Sequence, residues 1–199
     1  YKKQHKIFCK QKYQHRNHSA KQCRNHKRLS CSFPDPVFFS QKDPLWAGDL
    51  LGDSSFTMET SGCLTACLAA ELRMQDISIP EINAMDPGTL NSFFSGKQVY
   101  DRDGNIQWEP LSSALNVSLE RINGISAMRK TDLTALLSEG IYPIVRVRVK
   151  GLGNFHYVLL VKCQDGQFWC MDPLHAEEEL VPLSAFGNRI YAIRYLYRP

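Results

Sequence analysis

The period of the hydrophobic pattern changes near Gly140, and this change limits the possible folds more than any other feature of the sequence. Before Gly140 the apolar residues recur at helical spacing, most clearly from Cys63 to about Gln75. After it come four segments with alternating or continuous apolar residues, which are "YPIVRVRVKG", "FHYVLLVKC", "QFWCMDP" and "RIYAIRYLY". Helices followed by an antiparallel sheet make an α+β domain, in which a helix-borne group meets sheet-borne groups at one interface.

The first 36 residues differ in composition from the rest of the 199-residue chain. Residues 1–31 contain ten of the 24 Lys and Arg residues, none of the 20 Asp and Glu residues, and no sustained helical or strand period. Such a segment does not bury enough apolar surface to fold alone. Two prolines, Pro34 and Pro36, follow it. We therefore predict a disordered basic arm over residues 1–36 and one folded domain over residues 37–199.

The composition of the arm suggests its partners. Its positive charge favours contact of residues 1–31 with a polyanion, either nucleic acid or anionic lipid. The arm also offers ligands for zinc, although their spacing matches no zinc-finger pattern; they are His5, Cys9, His15, His18, Cys23, His26 and Cys31. We predict no metal and no cofactor for the folded domain.

The seven cysteines are an odd number without a regular spacing, which favours mostly reduced thiols. Cys163 and Cys170 form the one pair that could face each other across a hairpin and join in an oxidising compartment. No apolar run approaches the roughly 18 residues of a membrane helix, and no apolar signal-peptide core follows the basic start. We expect a cytoplasmic or secreted protein without a membrane-spanning segment.

Cys63 lies at the predicted start of the most apolar helix, with Thr60 or Ser61 as its N-cap. In the first turn, unsatisfied backbone N–H groups and the positive end of the helix dipole favour a thiolate over a thiol. This position suits a nucleophile. The alternative is that Cys63, like Cys67 one turn later, is a small buried packing residue.

A nucleophilic cysteine needs an imidazole base, and the folded domain contains only His156 and His175. His156 lies in an apolar predicted strand, where a lone histidine is commonly a core residue. A three-residue turn over residues 164–166 would make Asp172 its same-face diagonal neighbour and allow the carboxylate to orient the ring. A two-residue turn at Asp165 and Gly166 would shift the register by one and separate the two side chains.

Several motifs together resemble a known family. "QKDPLW", "SGCLTACLAAELR", "GNIQW" and "HYVLLVKCQDGQFWCMDP" occur in the order found in papain-like cysteine peptidases of the bacteriocin-leader-processing type, and especially in their stand-alone bacterial relatives. The resemblance covers roughly residues 39–173 and implies a papain-like fold, with a central buried helix packed on an antiparallel sheet.

The resemblance also implies roles for individual residues. Cys63 would be the nucleophile, His156 the general base and acid, and Asp172 the residue that orients the imidazole. Gln41 would donate to the oxyanion beside the Cys63 backbone N–H, although it lies twenty-two residues before the cysteine rather than a few.

We therefore predict a cysteine peptidase or related amide hydrolase that acts on a peptide or protein through a thioester intermediate. Two alternatives remain open, which are a catalytically silent papain-like binding module and a protein whose function is polyanion binding by the arm. Cys63, Cys67 and His156 could also form a metal site, but the sequence supplies no fourth ligand. His175 is expected to be a solvated loop residue and is the only other candidate base.

Overall fold

Six antiparallel strands form a single sheet. In the computed structural model, which describes residues 35–149, 154–175 and 177–198, the strands are β1 (Ser118–Asn123), β2 (Ile144–Arg148), β3 (Phe155–Gln164), β4 (Gln167–Met171), β5 (Val181–Pro182) and β6 (Ala192–Tyr197). Their order across the sheet is β1-β6-β2-β3-β4-β5, and each neighbouring pair is antiparallel. The last strand of the chain therefore lies inside the sheet, between β1 and β2.

Most of the helices precede the sheet in the sequence. The described residues contain α1 (Met58–Ser61), α2 (Cys63–Met74), α3 (Pro87–Gly96), α4 (Trp108–Leu115), α5 (Ile125–Arg129), α6 (Leu133–Ser138) and a 3₁₀ turn (Leu183–Phe186). This arrangement of helices and an antiparallel sheet confirms the predicted α+β class. The residue types from Ile79 to Asp86 are compatible with a short helix, but the chain there forms turns and bends that lead to the Asp86 cap of α3.

The start of the Cys63 helix differs from the prediction. Neither Ser61 nor Thr60 caps α2. Instead, Thr57 caps the preceding turn α1: its side chain accepts from the Thr60 N–H, and the Thr60 side chain accepts from the Thr57 N–H. Gly62 separates the two helices. A Cβ at this glycine would lie 2.5 Å from the Met58 carbonyl oxygen, so only glycine allows this close approach of the backbone.

Of the two turns considered for the β3–β4 hairpin, the structure has the two-residue turn at Asp165 and Gly166. Gln164 pairs with Gln167, and Asp165 and Gly166 both have positive φ, of 53° and 75°. Alone, this turn would shift the register by one. Val161, however, is an extra residue between the Leu160–Cys170 and Lys162–Trp169 pairs. This β-bulge gives the end of the hairpin farther from the turn the register expected for a three-residue turn, in which Asp172 is the diagonal neighbour of His156.

The main core cluster combines buried residues of α2, α3, α4 and the sheet, and a second, smaller cluster consists of Trp46, Leu51 and Met58. Nine of the twelve residues of α2 are buried. One of them is Glu71, whose Oε1 accepts from the Leu196 backbone N–H at 2.7 Å and from Gln75 Nε2 at 3.1 Å. A single carboxyl group thus connects α2 to β6 inside the core.

Three further predictions concern the cysteines, the arm and the membrane. Cys163 pairs with Phe168 and Cys170 pairs with Leu160, so the two cysteines do not face each other and the possible disulfide between them is not formed. The arm, its disorder, its zinc ligands and its polyanion contacts lie outside the described residues, and the domain boundary after residue 36 stays a prediction. Within the described ranges, no helix is both long and apolar enough to cross a membrane.

Candidate active site

Cys63 is the first residue of α2 and, like Leu64, is partly exposed, in contrast to the buried residues from Thr65 to Leu72. It lines a cavity of about 290 Å³ together with residues of α2, the loop before α4, and the strands β2, β3 and β6. Because Gly62 interrupts the helix, the Cys63 N–H has no backbone acceptor among the described residues outside its own helix. The thiol therefore lies beside an unsatisfied backbone donor at a helix start.

Gln41 links α1, the helical turn before the Cys63 helix, to the segment after β4. Its Nε2 donates to the Glu59 carbonyl at 2.5 Å, and its backbone N–H donates to the Pro173 carbonyl at 2.9 Å. The Glu59 carbonyl is the one that Cys63 N–H would reach in an unbroken helix. The Gln41 side chain is buried, and its Oε1 has no partner among the described residues.

His156 and Asp172 are brought together by the bulged hairpin. His156 Nε2 lies 2.6 Å from Asp172 Oδ1, and both side chains are almost completely buried. Asp172 Oδ1 also accepts from the Leu174 N–H at 2.9 Å. Since Nε2 is engaged by the carboxylate, Nδ1 is the ring nitrogen that remains for another partner.

Opposing effects act on the protonation of His156. Burial lowers its pKa, but the hydrogen bond to Asp172 and the interaction with Cys63 raise it, and the net result is a pKa of about 9. The Cys63 side chain is therefore one of the groups that raise the pKa of His156. A thiolate and an imidazolium stabilise each other in such a pair, as in known cysteine nucleophiles.

Cys67 has a different environment from Cys63. It is fully buried, and its Sγ donates to the Tyr157 carbonyl at 3.5 Å. Burial raises the pKa of this thiol well above its usual value, and the Cys63 and Asp172 charges raise it further. Cys67 is therefore held as a neutral thiol in the core.

His175 is closer to the site than the sequence indicated. Its side chain is half exposed, and its Nε2 lies 3.5 Å from Asp172 Oδ2, the oxygen that faces away from the His156 contact. Its Nδ1 lies 3.6 Å from Glu177 Oε2. The Asp-x-x-His spacing is the sequence signal that could have predicted this contact, because a short turn brings residues three apart together.

Two arginines that sequence reasoning missed line the same cavity as Cys63. They are Arg146 on β2 and Arg194 on β6, and Arg194 is only 5% exposed. Burial lowers the pKa of Arg194; Tyr157 opposes this effect, and the nearby Arg121 and Arg146 charges add to it. Their sequence signal is a cation within an otherwise apolar strand, as in "IVRVR" and "AIRYL".

A metal site is the other chemistry that these residue types allow. Among residues 35–149, 154–175 and 177–198, no group of three or more His, Cys, Asp and Glu side chains is arranged to hold a metal ion.

Comparison of the sequence with known protein families and with curated proteins finds no match. Among solved structures, the chain is similar to a crystal structure from Bacillus anthracis that carries the name "putative C39-like peptidase". The two chains are 14% identical, the TM-score is 0.48, and the similarity covers 82% of this chain and 96% of the other.

Proposed function

We propose that the protein is a papain-like cysteine peptidase or related amide hydrolase with Cys63, His156 and Asp172 as its triad. The observation that carries this proposal is the buried imidazole of His156, held at 2.6 Å by Asp172 and raised in pKa by both Asp172 and Cys63. A buried histidine with a purely structural role does not need a partly exposed thiol beside it in a cavity. The motifs that resemble the leader-processing peptidases support the same assignment.

In the proposed reaction, the Cys63 thiolate attacks the carbonyl carbon of a peptide or amide bond. A bond forms between Sγ and this carbon, and the carbonyl oxygen becomes an oxyanion. The Cys63 backbone N–H and the Gln41 Nε2–H are the proposed donors to this oxyanion. Gln41 Nε2 has two hydrogens and uses one for the Glu59 carbonyl, which leaves the second for the oxyanion.

His156 transfers the protons of both half-reactions. As an imidazolium, it protonates the leaving amine when the carbon–nitrogen bond breaks and the thioester forms. The neutral imidazole then takes a proton from water, which attacks the thioester and releases the acid and the Cys63 thiolate. Asp172 keeps Nε2 protonated and Nδ1 directed toward the thiol, which is the role of the carboxylate in other triads.

Selective alkylation tests the nucleophile. The full-length protein is treated with iodoacetamide near pH 7, and the modified cysteines are identified by peptide mass spectrometry. We expect Cys63 to react faster than the same peptide in the unfolded chain. Cys63→Ala should remove this fast reaction, whereas the control Cys163→Ala, on the tip of the hairpin, should retain it.

Cleavage of a mixed peptide substrate then distinguishes an enzyme from a silent binding module. New termini should appear with the unmodified protein and should be absent with Cys63→Ala and Cys63→Ser. A fast-reacting Cys63 without any cleavage would favour the silent module. A Cys63 that reacts no faster than an unfolded thiol would overturn the triad.

A further inference from the structure

We propose that the cavity beside Cys63 binds a carboxylate of the substrate through Arg146 and Arg194. The protein would therefore prefer peptides that carry a carboxylate near the bond to be cleaved. This inference rests on the proposed function, because it assigns the substrate class of the same site. Its support comes from the charge, burial and register of the strands, and it does not use the His156 contacts.

The strand register places the two arginines on one face of the sheet. Arg146 of β2 pairs with Ala192 of β6, and Arg194 lies two residues further along β6. Residues two apart on a strand share a face, so Arg146 and Arg194 are diagonal neighbours. Arg121 of β1 lies directly opposite Arg194. Three arginines thus follow one another across three adjacent strands.

Arg121 forms an ion pair with Glu109 at 3.9 Å, but the charges of Arg146 and Arg194 have no carboxylate partner in the described part of the chain. Neither Arg146 nor Arg194 forms an ion pair with any Asp or Glu among the described residues, and no Asp or Glu lines the cavity. A cation that is buried without a counter-ion is unfavourable, and like charges side by side increase the cost. A bound anion would supply the missing opposite charge.

Both guanidinium groups retain free donors. Arg194 uses Nη1 for the Ile122 and Ile193 carbonyls and Nη2 for Asn123 Oδ1, and its buried Nε–H has no partner among the residues that the structure describes. Arg146 forms no side-chain hydrogen bond to a described residue, and its Nε is buried too. Planar guanidinium groups with free N–H donors are well suited to a carboxylate.

Aromatic rings hold the guanidinium groups in position. Arg194 lies 5.1 Å from the centre of the Trp108 ring, and Trp108 also lines the cavity. Arg146 lies 4.2 Å from the centre of the Phe155 ring. Stacking leaves the edges of a guanidinium group available for hydrogen bonds, so these contacts position the arginines without satisfying their donors.

The charge of an alkylating agent tests the proposal without knowledge of the substrate. Iodoacetate and iodoacetamide both form a bond from Cys63 Sγ to their methylene carbon, with loss of iodide, but only iodoacetate carries a carboxylate. We divide the rate constant of iodoacetate by that of iodoacetamide at Cys63 and compare this ratio with the same ratio for glutathione. The ratio at Cys63 should be larger by about tenfold, the effect of one hydrogen-bonded charge pair.

Arginine variants show whether the cavity causes this preference. Arg146→Gln and Arg194→Gln should each lower the ratio by several-fold, and increasing the salt concentration should lower it in the unmodified protein. Arg148→Gln is the matched control, because Arg148 lies on the same strand and also stacks on Phe155 but does not line the cavity. Its ratio should equal that of the unmodified protein. Equal ratios in all variants would overturn the proposal.

Binding to the Cys63→Ala protein distinguishes the two possible sources of the carboxylate. Saturation-transfer NMR compares N-acetylglutamate α-amide, N-acetylglutamine and N-acetylglutamine amide, which carry a side-chain carboxylate, a terminal carboxylate and no carboxylate. Binding of the first alone assigns an acidic side chain, and binding of the second alone assigns a free C-terminus. Equal binding of all three, or binding unchanged by Arg194→Gln, would contradict the proposal.

The two proposals fail in different ways. A Cys63 that iodoacetamide does not label rapidly contradicts the triad, while the binding measurements with the Cys63→Ala protein still decide whether the cavity takes a carboxylate. A reactive Cys63 with no preference for iodoacetate leaves the triad intact and removes the carboxylate site.

Discussion

The charge on His156 determines how Cys63 should respond to pH. The pKa of His156 is raised to about 9, so its imidazolium persists through the neutral range and is lost only as the pH rises through that value. We therefore expect the rate of Cys63 alkylation, relative to that of a small thiol, to be highest at the acid end of the range and to fall as the pH rises toward about 8.5, where the small thiol itself ionises. Stopped-flow measurements with iodoacetamide from pH 5.5 to 10 would show this decline.

Variants of the histidine and its carboxylate provide the comparison. His156→Ala should make the relative rate nearly independent of pH, because only solvent base then deprotonates the thiol. Asp172→Asn should have a smaller effect, since its amide oxygen still accepts from the ring N–H. A pH profile of His156→Ala that matches the unmodified protein would exclude His156 as the partner of Cys63.

Cys67 should affect stability without affecting reactivity. Its side chain is completely buried and donates a hydrogen bond to the Tyr157 carbonyl. Cys67→Ala therefore leaves a small void and removes this donor from the Tyr157 carbonyl. We expect a loss of about 1 kcal/mol or more in the free energy of unfolding, measured by urea denaturation, with fast labelling of Cys63 retained. Cys63→Ala should cost less, because Cys63 is partly exposed. The opposite order of the two variants would mean that their roles are exchanged.

For individual residues, the sequence supports a functional prediction where the residue type is rare in the chain. Few histidines and one cysteine at a helix start limit the choices, so position and residue type made Cys63 and His156 candidates, and their catalytic roles stay predictions. Arg146 and Arg194 could not, because 24 Lys and Arg residues offer no such limit. Their importance depends on two strands far apart in the sequence becoming neighbours, and the register that joins them has no local signal.

Among the elements, α2 and β6 are connected by a carboxyl group that should be neutral. Burial raises the pKa of Glu71 well above its usual value, against the opposing effect of its hydrogen bonds to Leu196 and Gln75. Its Oε2 is buried, with no hydrogen-bond partner in the described part of the chain. A raised pKa means that the folded state keeps a proton that the unfolded chain releases, so this contribution to stability is complete at acid pH and decreases as the pH rises above about 4.3.

Glu71→Gln should remove this dependence, because an amide has the same shape and no charge to acquire. We expect the stability of Glu71→Gln relative to the unmodified protein to increase from pH 5 to pH 8, by at most about 1.4 kcal/mol per pH unit. Urea unfolding at several pH values measures it, with the exposed Glu120→Gln as control. A difference that does not change with pH would show that Glu71 is ionised in the folded protein.

Element types were predictable where the hydrophobic period is strong, and boundaries were not. Four of the five strands after Gly140, which are β2, β3, β4 and β6, and the helix from Cys63 follow from their periods. The residues from Ile79 to Asp86 have helix-compatible letters, but their turn geometry and the cap of the next helix take precedence. The Val161 bulge has no distinct sequence signal, because an extra apolar residue in an apolar strand does not alter its pattern.

For the whole molecule, charge is divided between the arm and the rest of the chain. Residues 1–31 contain ten positive and no negative side chains, and the remaining residues contain 14 positive and 20 negative ones. We expect the full chain to bind a 30-nucleotide poly-dT strand and to lose affinity steeply, by about a thousandfold or more, between 50 and 200 mM salt. Fluorescence anisotropy measures this binding.

A chain that begins at Asp35 should lose this binding but retain a cooperative unfolding transition, because it keeps Val37, Phe38 and Phe39, which pack against the core. Binding that survives the deletion would assign the polyanion contact to the folded domain. Loss of the cooperative transition would mean that the domain boundary lies nearer the N-terminus.

The bulged hairpin also bears on how the site can persist while sequences diverge. A three-residue turn without a bulge and a two-residue turn with the Val161 bulge use the same number of residues between His156 and Asp172. Descendants of one ancestral gene could therefore exchange one design for the other through substitutions alone, with no insertion or deletion in the reading frame. The turn at the tip of the hairpin can change in this way, while the distance between the imidazole of His156 and the carboxylate of Asp172 stays the same.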